Sequence, residues 1–241
     1  MSDPRAAGDV LISDTGSVDA SFPTDDGRRA HVRFTSVADG DLSVRLPAAT
    51  LDAARARVLD LPWTWLHQVH GAEVVVVEYP GDRAGTAADA AVTTCSGAAL
   101  AIHTADCAPV ALVAPEGVVG AVHAGWRGIE AGVIEATVDR MRSLGAGEVR
   151  AVVGPCIRSE CYEFGADDLE GLAARYGPEV RGETRQGRAA LDVPAAVHAA
   201  LGAAGVHAVS GPPMCTSCDD RFFSHRARQD TGRQALLVWL G

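Results

Sequence analysis

The sequence predicts an α/β domain that is built on a mixed β-sheet. Apolar segments with strand-like patterns dominate the first half of the chain, and long segments with helical spacing occur in the second half. No internal repeat divides the 241 residues, and no linker rich in Gly, Ser or Pro separates two parts. The pattern therefore favours a single α/β domain over a regular series of βαβ units.

The first half of the chain is expected to consist mainly of strands. Residues 1–30 are rich in Asp, Gly, Ser and Pro, which predicts a partly ordered lead-in with a short strand near residues 9–13. Helical spacing over residues 50–60 predicts a short helix that ends before Pro62. Apolar patterns predict strands over residues 31–36, 63–69, 73–79, 90–93, 100–104, 110–114 and 118–124.

The second half of the chain is expected to contain three helices. The first covers residues 126–143 and ends at Gly145, and the second covers residues 166–176. The third covers residues 192–204, because Asp192 is a suitable N-cap and Gly205 ends the pattern. Further strands are predicted over residues 149–153, 206–210 and 234–240.

Reactive side chains lie near the ends of the central apolar strands. Cys107 and His123 belong to the stretch between Ala99 and Gly128, and His70 belongs to an earlier hairpin. Buried polar groups cost free energy unless they have partners, so these side chains are expected to converge. Because sheets place their sites at strand ends, we predict that His70, Cys107 and His123 belong to one catalytic or metal site.

Two chemistries fit this set of residues, and their spacing does not choose between them. The three side chains can bind zinc with an open fourth position, as in catalytic zinc sites. Alternatively, Cys107 is a nucleophile and His123 is its general base. Asp106 is a candidate acid or base beside Cys107. Arg127, at the start of a predicted helix, is a candidate ligand for phosphate or carboxylate.

Composition excludes several classes of protein. The formal net charge of −10 argues against a nucleic-acid-binding protein, although Arg127, Arg226 and Arg228 can form a local pocket for an anion. The chain has no apolar run of membrane-spanning length and no signal-peptide pattern, so we expect a cytoplasmic protein away from membranes. No pattern identifies a partner protein. Cys215 and Cys218 have the spacing of half a zinc site, but no second Cys pair follows, so we interpret the cysteines other than Cys107 as structural thiols.

Several ordered motifs resemble those of the laccase-domain family. Members of that family are described as polyphenol oxidases, purine nucleoside phosphorylases and a peptidoglycan editing factor. The motifs run from residue 66 to the C-terminus, and His225 stands where an aromatic residue is common in the family. They are His67-Gln68-Val69-His70-Gly71, Ala105-Asp106-Cys107-Ala108-Pro109-Val110, Val122-His123-Ala124-Gly125-Trp126-Arg127-Gly128, Gly154-Pro155-Cys156-Ile157, Cys161-Tyr162-Glu163, Phe222-Phe223-Ser224-His225-Arg226 and Thr231-Gly232-Arg233.

The resemblance implies both a fold and a function. The implied fold is a single αββα-layered, cysteine-hydrolase-like laccase domain over residues 1–241, with a mixed sheet. The implied zinc ligands are His70, Cys107 and His123, with Cu²⁺ as an alternative metal. The implied activity is phosphorolysis of adenosine, inosine and methylthioadenosine, together with adenosine deamination.

The leading hypothesis is therefore a zinc-dependent purine nucleoside phosphorylase with adenosine deaminase activity, acting on nucleosides and phosphate. Asp106 then handles protons, while Arg127, Gln68 and Arg226 bind substrate. A second hypothesis is an amidase that edits peptidoglycan precursors, and a third is a non-catalytic metal-binding protein. A multicopper oxidase is disfavoured, because none of the eight histidines forms a His-x-His pair.

Overall fold

The computed structural model describes residues 9–241, so the first eight residues of the predicted lead-in lie outside the described residues. The strands are β1 (Asp9–Ile12), β2 (Val18–Pro23), β3 (Arg29–Phe34), β4 (Trp63–Trp65), β5 (Val74–Val77), β6 (Ala90–Thr93), β7 (Ala99–Thr104), β8 (Ala108–Ala114), β9 (Val118–Ala124), β10 (Arg150–Val153), β11 (Arg181–Glu183), β12 (Ala189–Leu191), β13 (Ala208–Ser210) and β14 (Gln234–Leu240). The helices are α1 (Ala48–Val58), α2 (Trp126–Ala131), α3 (Val133–Ser143), α4 (Ala166–Tyr176), α5 (Val193–Ala203) and α6 (His225–Arg228).

Two six-stranded sheets contain most of the strands. The first sheet has the order β1-β2-β3-β14-β7-β4, and the second has the order β13-β10-β8-β9-β6-β5. Both sheets are mixed, because β4 pairs parallel with β7, β5 with β6, and β10 with β13, whereas the other pairs are antiparallel. The predicted mixed α/β architecture is therefore confirmed.

Three apolar clusters show how the layers pack. Side chains of both sheets, such as Ile102 on β7 and Ala111 on β8, meet in a cluster between the sheets. Helices α2 to α5 cover the outer face of the second sheet, whereas α1 packs on the outer face of the first. The layers are thus α, β, β and α, which explains why β8 and β9 are buried along their whole length.

The predicted single helix over residues 126–143 is wrong, because Gly132 divides it into α2 and α3. Gly132 adopts a left-handed conformation with φ of 87°, which glycine tolerates but most side chains do not. The spacing of apolar residues continues across this break, so periodicity alone does not reveal it.

Two other segments differ from the sequence-based expectation. β2 lies inside the stretch predicted as a partly ordered lead-in, and alternate residues of β2 are buried. β4 ends at Trp65, four residues before the end of the predicted strand. The chain leaves the sheet there because the backbone N–H groups of Val69, His70 and Gly71 bond to a buried carboxylate described below. Within residues 9–241, no helix has the length and hydropathy needed to span a bilayer.

Candidate metal centre

Three potential metal ligands meet at one end of the two sheets. His70 lies in the loop after β4, Cys107 lies in the turn between β7 and β8, and His123 lies on β9. One donor atom from each side chain lies within 4.8 Å of the others, and His70 Nε2 is 3.9 Å from Cys107 Sγ. His123 is buried whereas His70 is exposed, so the group opens to solvent on one side.

A fully buried carboxylate, Asp89, orients two of these ligands. Its Oδ1 atom lies 2.8 Å from His123 Nδ1, which leaves Nε2 of that ring available for a metal ion. The same carboxylate accepts hydrogen bonds from the backbone N–H groups of His70 at 2.9 Å and Gly71 at 2.7 Å. Sequence reasoning missed Asp89, although an acidic residue directly before the buried strand β6 is a detectable signal.

The electrostatic environment favours an ionised thiol. Burial raises the pKa of Cys107, but the charges and hydrogen bonds of His123 and His70 outweigh burial and lower it. Burial likewise lowers the pKa of His123, but the Cys107 and Asp89 charges outweigh it and raise that pKa. A thiolate is the form that attacks carbon or binds metal, so both chemistries proposed from the sequence fit this geometry.

Because Gly125 has no side chain, the three ligands have space to meet beside it. A Cβ atom on Gly125 would lie 2.7 Å from His70 Cδ2 and 3.3 Å from Cys107 Sγ. The first distance is shorter than real contacts of a Cβ atom, so any larger residue would displace the His70 ring. Gly125 also precedes α2, where its backbone is extended with φ of −72°. The requirement for glycine is therefore one of space rather than of backbone conformation.

The three ligands line a cavity of about 370 Å³. Two arginines, Arg45 and Arg233, belong to its wall, as does His225. Burial and then the Arg45 charge lower the pKa of Arg233, which indicates that two cations face the same space. The full lining is Ser43, Val44, Arg45, Leu66, His67, Gln68, His70, His103, Thr104, Ala105, Cys107, His123, His225 and Arg233.

Two buried polar side chains in the wall lack partners. His103 is 7% exposed, and neither of its ring nitrogens has a hydrogen-bond partner among the described residues. The Thr104 hydroxyl, 2% exposed, is unpartnered in the same part of the chain. Burial, followed by the charges of Arg55 and Arg233, lowers the pKa of His103 to about 3, so its ring is neutral. A buried donor and acceptor without protein partners are available to bond to a ligand or to water in the cavity.

Gln68 and Asp106, which the sequence predicts to be functional, form hydrogen bonds with backbone groups close to the metal ligands. Gln68 lines the cavity, and its side-chain amide exchanges two hydrogen bonds of 2.8 Å with the backbone of His103. Asp106 has φ of 99°, and its Oδ1 accepts a hydrogen bond from Thr216 Oγ1 at 2.7 Å. Its Oδ2 accepts one from the backbone N–H of Arg226 at 2.7 Å. Asp106 therefore ties the C-terminal segment to the turn that carries Cys107.

The two predicted substrate-binding arginines, Arg127 and Arg226, lie outside the residues that line the cavity. The Arg127 guanidinium is 4.2 Å from the centroid of the Trp126 ring. The Arg226 guanidinium is 4.6 Å from the centroid of the Tyr162 ring and donates a hydrogen bond to the Glu163 carbonyl. The structure thus brings His70, Cys107, His123 and Gln68 together at the cavity. It adds Asp89, His103, Arg45 and Arg233, which sequence reasoning did not select.

Most of this chain is similar in sequence to known proteins. The family described as "Multi-copper polyphenol oxidoreductase laccase" matches residues 35–241. Purine nucleoside phosphorylase SCO2081 of Streptomyces coelicolor is 44% identical over 199 residues, which are 81% of this chain and 80% of that protein. Purine nucleoside phosphorylase Rv2149c of Mycobacterium tuberculosis is 37% identical over 201 residues, which are 80% of each chain.

Solved structures show the same fold. YlmD from Geobacillus stearothermophilus aligns with a TM-score of 0.80 and 28% identity, over 97% of this chain and 99% of that one. YfiH from Bacillus licheniformis aligns with a TM-score of 0.79 and 25% identity, over 88% and 93% of the two chains. The resemblance inferred from the motifs is thereby confirmed. The chain belongs to the multi-copper polyphenol oxidoreductase laccase family.

Proposed function

We propose that this chain is a cytoplasmic, zinc-dependent purine nucleoside phosphorylase that also deaminates adenosine. The proposed substrates are adenosine, inosine and methylthioadenosine, which react with phosphate to give the free base and the sugar 1-phosphate. One observation carries the proposal: the cavity combines three metal ligands, two arginines and a neutral buried histidine that has no hydrogen-bond partner within residues 9–241. The curated relatives reported above support it, because they are named purine nucleoside phosphorylases.

The residues fit a zinc ion. Two imidazoles and one thiolate are a donor set that zinc prefers, and three protein ligands leave a position for water or substrate. The bond from His123 Nδ1 to Asp89 is the outer partner that metal-bound histidines have. When bound, zinc lowers the pKa of a coordinated water and polarises a substrate oxygen. Copper also accepts these donors, so we make zinc, rather than copper, part of the proposal.

We assign phosphate binding to Arg45 and Arg233. Both line the cavity, and each guanidinium can donate paired hydrogen bonds to an oxyanion. A phosphate between them offsets the repulsion of two like charges, which lowers the pKa of Arg233 after the effect of burial. The phosphate oxygen then attacks the anomeric carbon while the bond to the base nitrogen breaks. The base leaves with its electron pair and takes up the proton that the attacking phosphate loses.

We assign the nucleoside to the wall formed by His103 and Thr104. A neutral imidazole has one donor and one acceptor nitrogen, and a hydroxyl has both capacities. These groups can pair with the base or with the ribose hydroxyls, which removes the cost of leaving them buried and unpaired. Because both oxygens of Asp106 already accept hydrogen bonds, we assign that residue a positioning role beside Cys107.

An assay on purified, zinc-loaded protein tests this proposal. Incubation of the protein with adenosine and phosphate should release adenine and ribose 1-phosphate, and deamination should form inosine. Chromatography measures all three products, and Cys107→Ala should remove them. If the loaded protein yields neither adenine nor inosine, the proposal is wrong.

A second candidate function rests on the positions of Cys107, His123 and Asp89: donor atoms of Cys107 and His123 lie within 4.8 Å of each other, and His123 Nδ1 lies 2.8 Å from Asp89 Oδ1. A thiolate, an imidazole and an orienting carboxylate form the arrangement of cysteine nucleophiles that cleave amides. This arrangement favours a cytoplasmic amidase that edits peptidoglycan precursors. Incubation of metal-free protein with such precursors distinguishes the candidates, because only the cysteine amidase keeps activity without zinc. Trapping of an acyl group on Cys107 would support it.

A further inference from the structure

A second group of sulfur atoms converges away from the cavity. The Sγ atoms of Cys161, Cys215 and Cys218 all lie within 4.8 Å of one another, and those of Cys161 and Cys218 are 3.1 Å apart. Cys161 ends the short 3₁₀ segment Ser159–Cys161, whereas the other two cysteines lie in the loop between β13 and α6. The three thiols therefore come from segments more than fifty residues apart in sequence.

The backbone holds these cysteines in place. Cys215 forms a parallel bridge with the buried Cys156, and the Thr216 N–H donates to the Cys156 carbonyl. The N–H groups of Cys218 and Asp219 both donate to the Cys215 carbonyl, at 3.2 and 3.1 Å. This turn brings the two sulfur atoms of Cys215-Thr216-Ser217-Cys218 to one side. The group is thus positioned by main-chain hydrogen bonds, and not only by the conformations of exposed side chains.

A carboxylate and a compensating charge lie beside Cys218, although the carboxylate is not within 4.8 Å of all three sulfurs. Glu160 Oε1 is 4.0 Å from Cys218 Sγ, and the Arg185 guanidinium donates to the same sulfur at 3.1 Å. The backbone N–H of Arg185 also donates to the Glu160 carbonyl at 3.2 Å, which fixes the two residues relative to each other. Three thiolates and a carboxylate around a divalent ion carry net negative charge, which the guanidinium partly offsets.

We propose that Cys161, Cys215 and Cys218, with Glu160 as the fourth ligand, form a structural zinc site. Zinc sites without catalytic function are four-coordinate and tetrahedral, with sulfur ligands about 2.3 Å from the metal. Such bonds place two sulfurs about 3.8 Å apart. The distance of 3.1 Å between Cys161 and Cys218 lies between this value and a disulfide bond of about 2.05 Å, so a small outward movement suffices.

The proposed sulfur site lies next to the residues that support the first metal centre. Thr216 lies within the Cys215–Cys218 turn and donates its hydroxyl hydrogen bond to Asp106. Asp106 precedes Cys107, so an ion held by the sulfurs fixes the loop that supports the turn of the first metal centre. Loss of this ion is expected to loosen the C-terminal segment while the ligands His70, Cys107 and His123 stay intact. The inference does not depend on the proposed catalytic activity.

Metal counting on the full-length protein tests the inference. Protein purified with zinc and a reductant should contain about two zinc ions per chain by elemental mass spectrometry. The double variant Cys161→Ser with Cys218→Ser should contain about one, and so should Cys107→Ala. Combining all three substitutions should leave about zero. The control Cys95→Ser should keep about two, because Cys95 Sγ contacts only the Ser96 carbonyl in the hydrogen bonds of the described residues.

A second readout covers the case in which the double variant fails to fold. Cobalt-loaded Cys107→Ala protein should show tetrahedral bands with strong thiolate-to-cobalt charge transfer, and Glu160→Gln in that background should weaken cobalt binding. The inference is overturned if the double variant keeps the zinc content of the parent. It is equally overturned if the parent, purified with zinc, has a mass about two units lower than expected and peptide mapping joins Cys161 to Cys218 by a disulfide.

Discussion

At the scale of single residues, Asp89 organises the candidate metal centre although it binds no metal itself. Its carboxylate is fully buried and contacts His123 Nδ1 together with three consecutive backbone N–H groups. Burial raises the pKa of Asp89, but the hydrogen bonds from His123 and Gly71 outweigh burial and lower it. The ionised carboxylate therefore holds both the His123 ring and the loop that carries His70.

Asp89→Asn is expected to weaken zinc binding by about 10–100-fold, because the amide cannot accept all these hydrogen bonds. Competition with a chelator measures the affinity. The buried N–H groups left without an acceptor are expected to cost about 1–3 kcal/mol of unfolding free energy, which urea denaturation measures. Asp139→Asn is the matched control, because the Asp139 side chain is 78% exposed. Equal zinc affinities of the two variants would contradict the role of Asp89.

Substitutions of four arginines test whether phosphate binds in the cavity or at the exposed arginines outside it. Arg45→Gln or Arg233→Gln should raise the KM for phosphate by about 10–100-fold, since a charge-assisted hydrogen bond contributes about 1.5–3 kcal/mol. Arg127→Gln and Arg226→Gln should change this KM little, because those guanidinium groups lie over Trp126 and Tyr162. Steady-state kinetics at saturating nucleoside measures each value. The opposite ranking would restore the assignment made from the sequence.

At the scale of elements, the junction between β9 and α2 determines whether the three ligands can meet. β9 carries His123, and Gly125 follows directly before α2 begins at Trp126. The helix starts beside the ligands, so the backbone passes closer to them than a side chain at Gly125 would permit. The junction thus couples the geometry of the second sheet to that of the metal centre.

Gly125→Ala is expected to lower zinc affinity, because the added Cβ would lie 2.7 Å from His70 Cδ2. Gly202→Ala is the matched control, since a Cβ on this residue of α5 would contact nothing within 4 Å. The control should retain zinc affinity and gain about 0.5–1 kcal/mol of stability, which reflects the helix propensity of alanine. Calorimetric zinc titration and thermal unfolding check the pair. Unchanged zinc binding in Gly125→Ala would show that the ligands tolerate the methyl group.

At the scale of the whole molecule, the candidate metal centre joins the two sheets. Cys107 lies between β7 of the first sheet and β8 of the second, and His123 lies on β9 of the second sheet. His70 follows β4, which belongs to the first sheet. An ion bound by all three residues therefore links layers that otherwise contact each other through apolar side chains.

Zinc at about 100 times its Kd should stabilise the native protein by about 2.7 kcal/mol. For a chain of this length, this corresponds to a rise in Tm of about 5–10 °C. The measurement is best made in the double variant Cys161→Ser with Cys218→Ser, so that only the first site contributes. Adding Cys107→Ala to that variant should remove most of the shift. A shift that persists without Cys107 would place the stabilising ion elsewhere.

Local patterns explain which parts of the fold were predictable. β6, β9, β14 and α4 have the bounds that the sequence predicts, because each is a continuous apolar or amphipathic segment with clear ends. β2 was missed because polar and turn-forming residues surround a short alternating strand. α2 and α3 were merged because the apolar spacing continues through Gly132 and only its backbone conformation breaks the helix.

The sequence by itself determined the chemistry that is available: a thiol and two imidazoles at strand ends, in motifs of one family. The tertiary structure decided which groups act together. Thr216 bonds Asp106 across 110 residues, and Cys161 reaches Cys218 across 57. Apolar periodicity reports whether a segment is a strand or a helix, but it does not report which segments become neighbours. For that reason Asp89, Arg45, Arg233 and the second sulfur cluster emerged only when the sheets and loops were assembled.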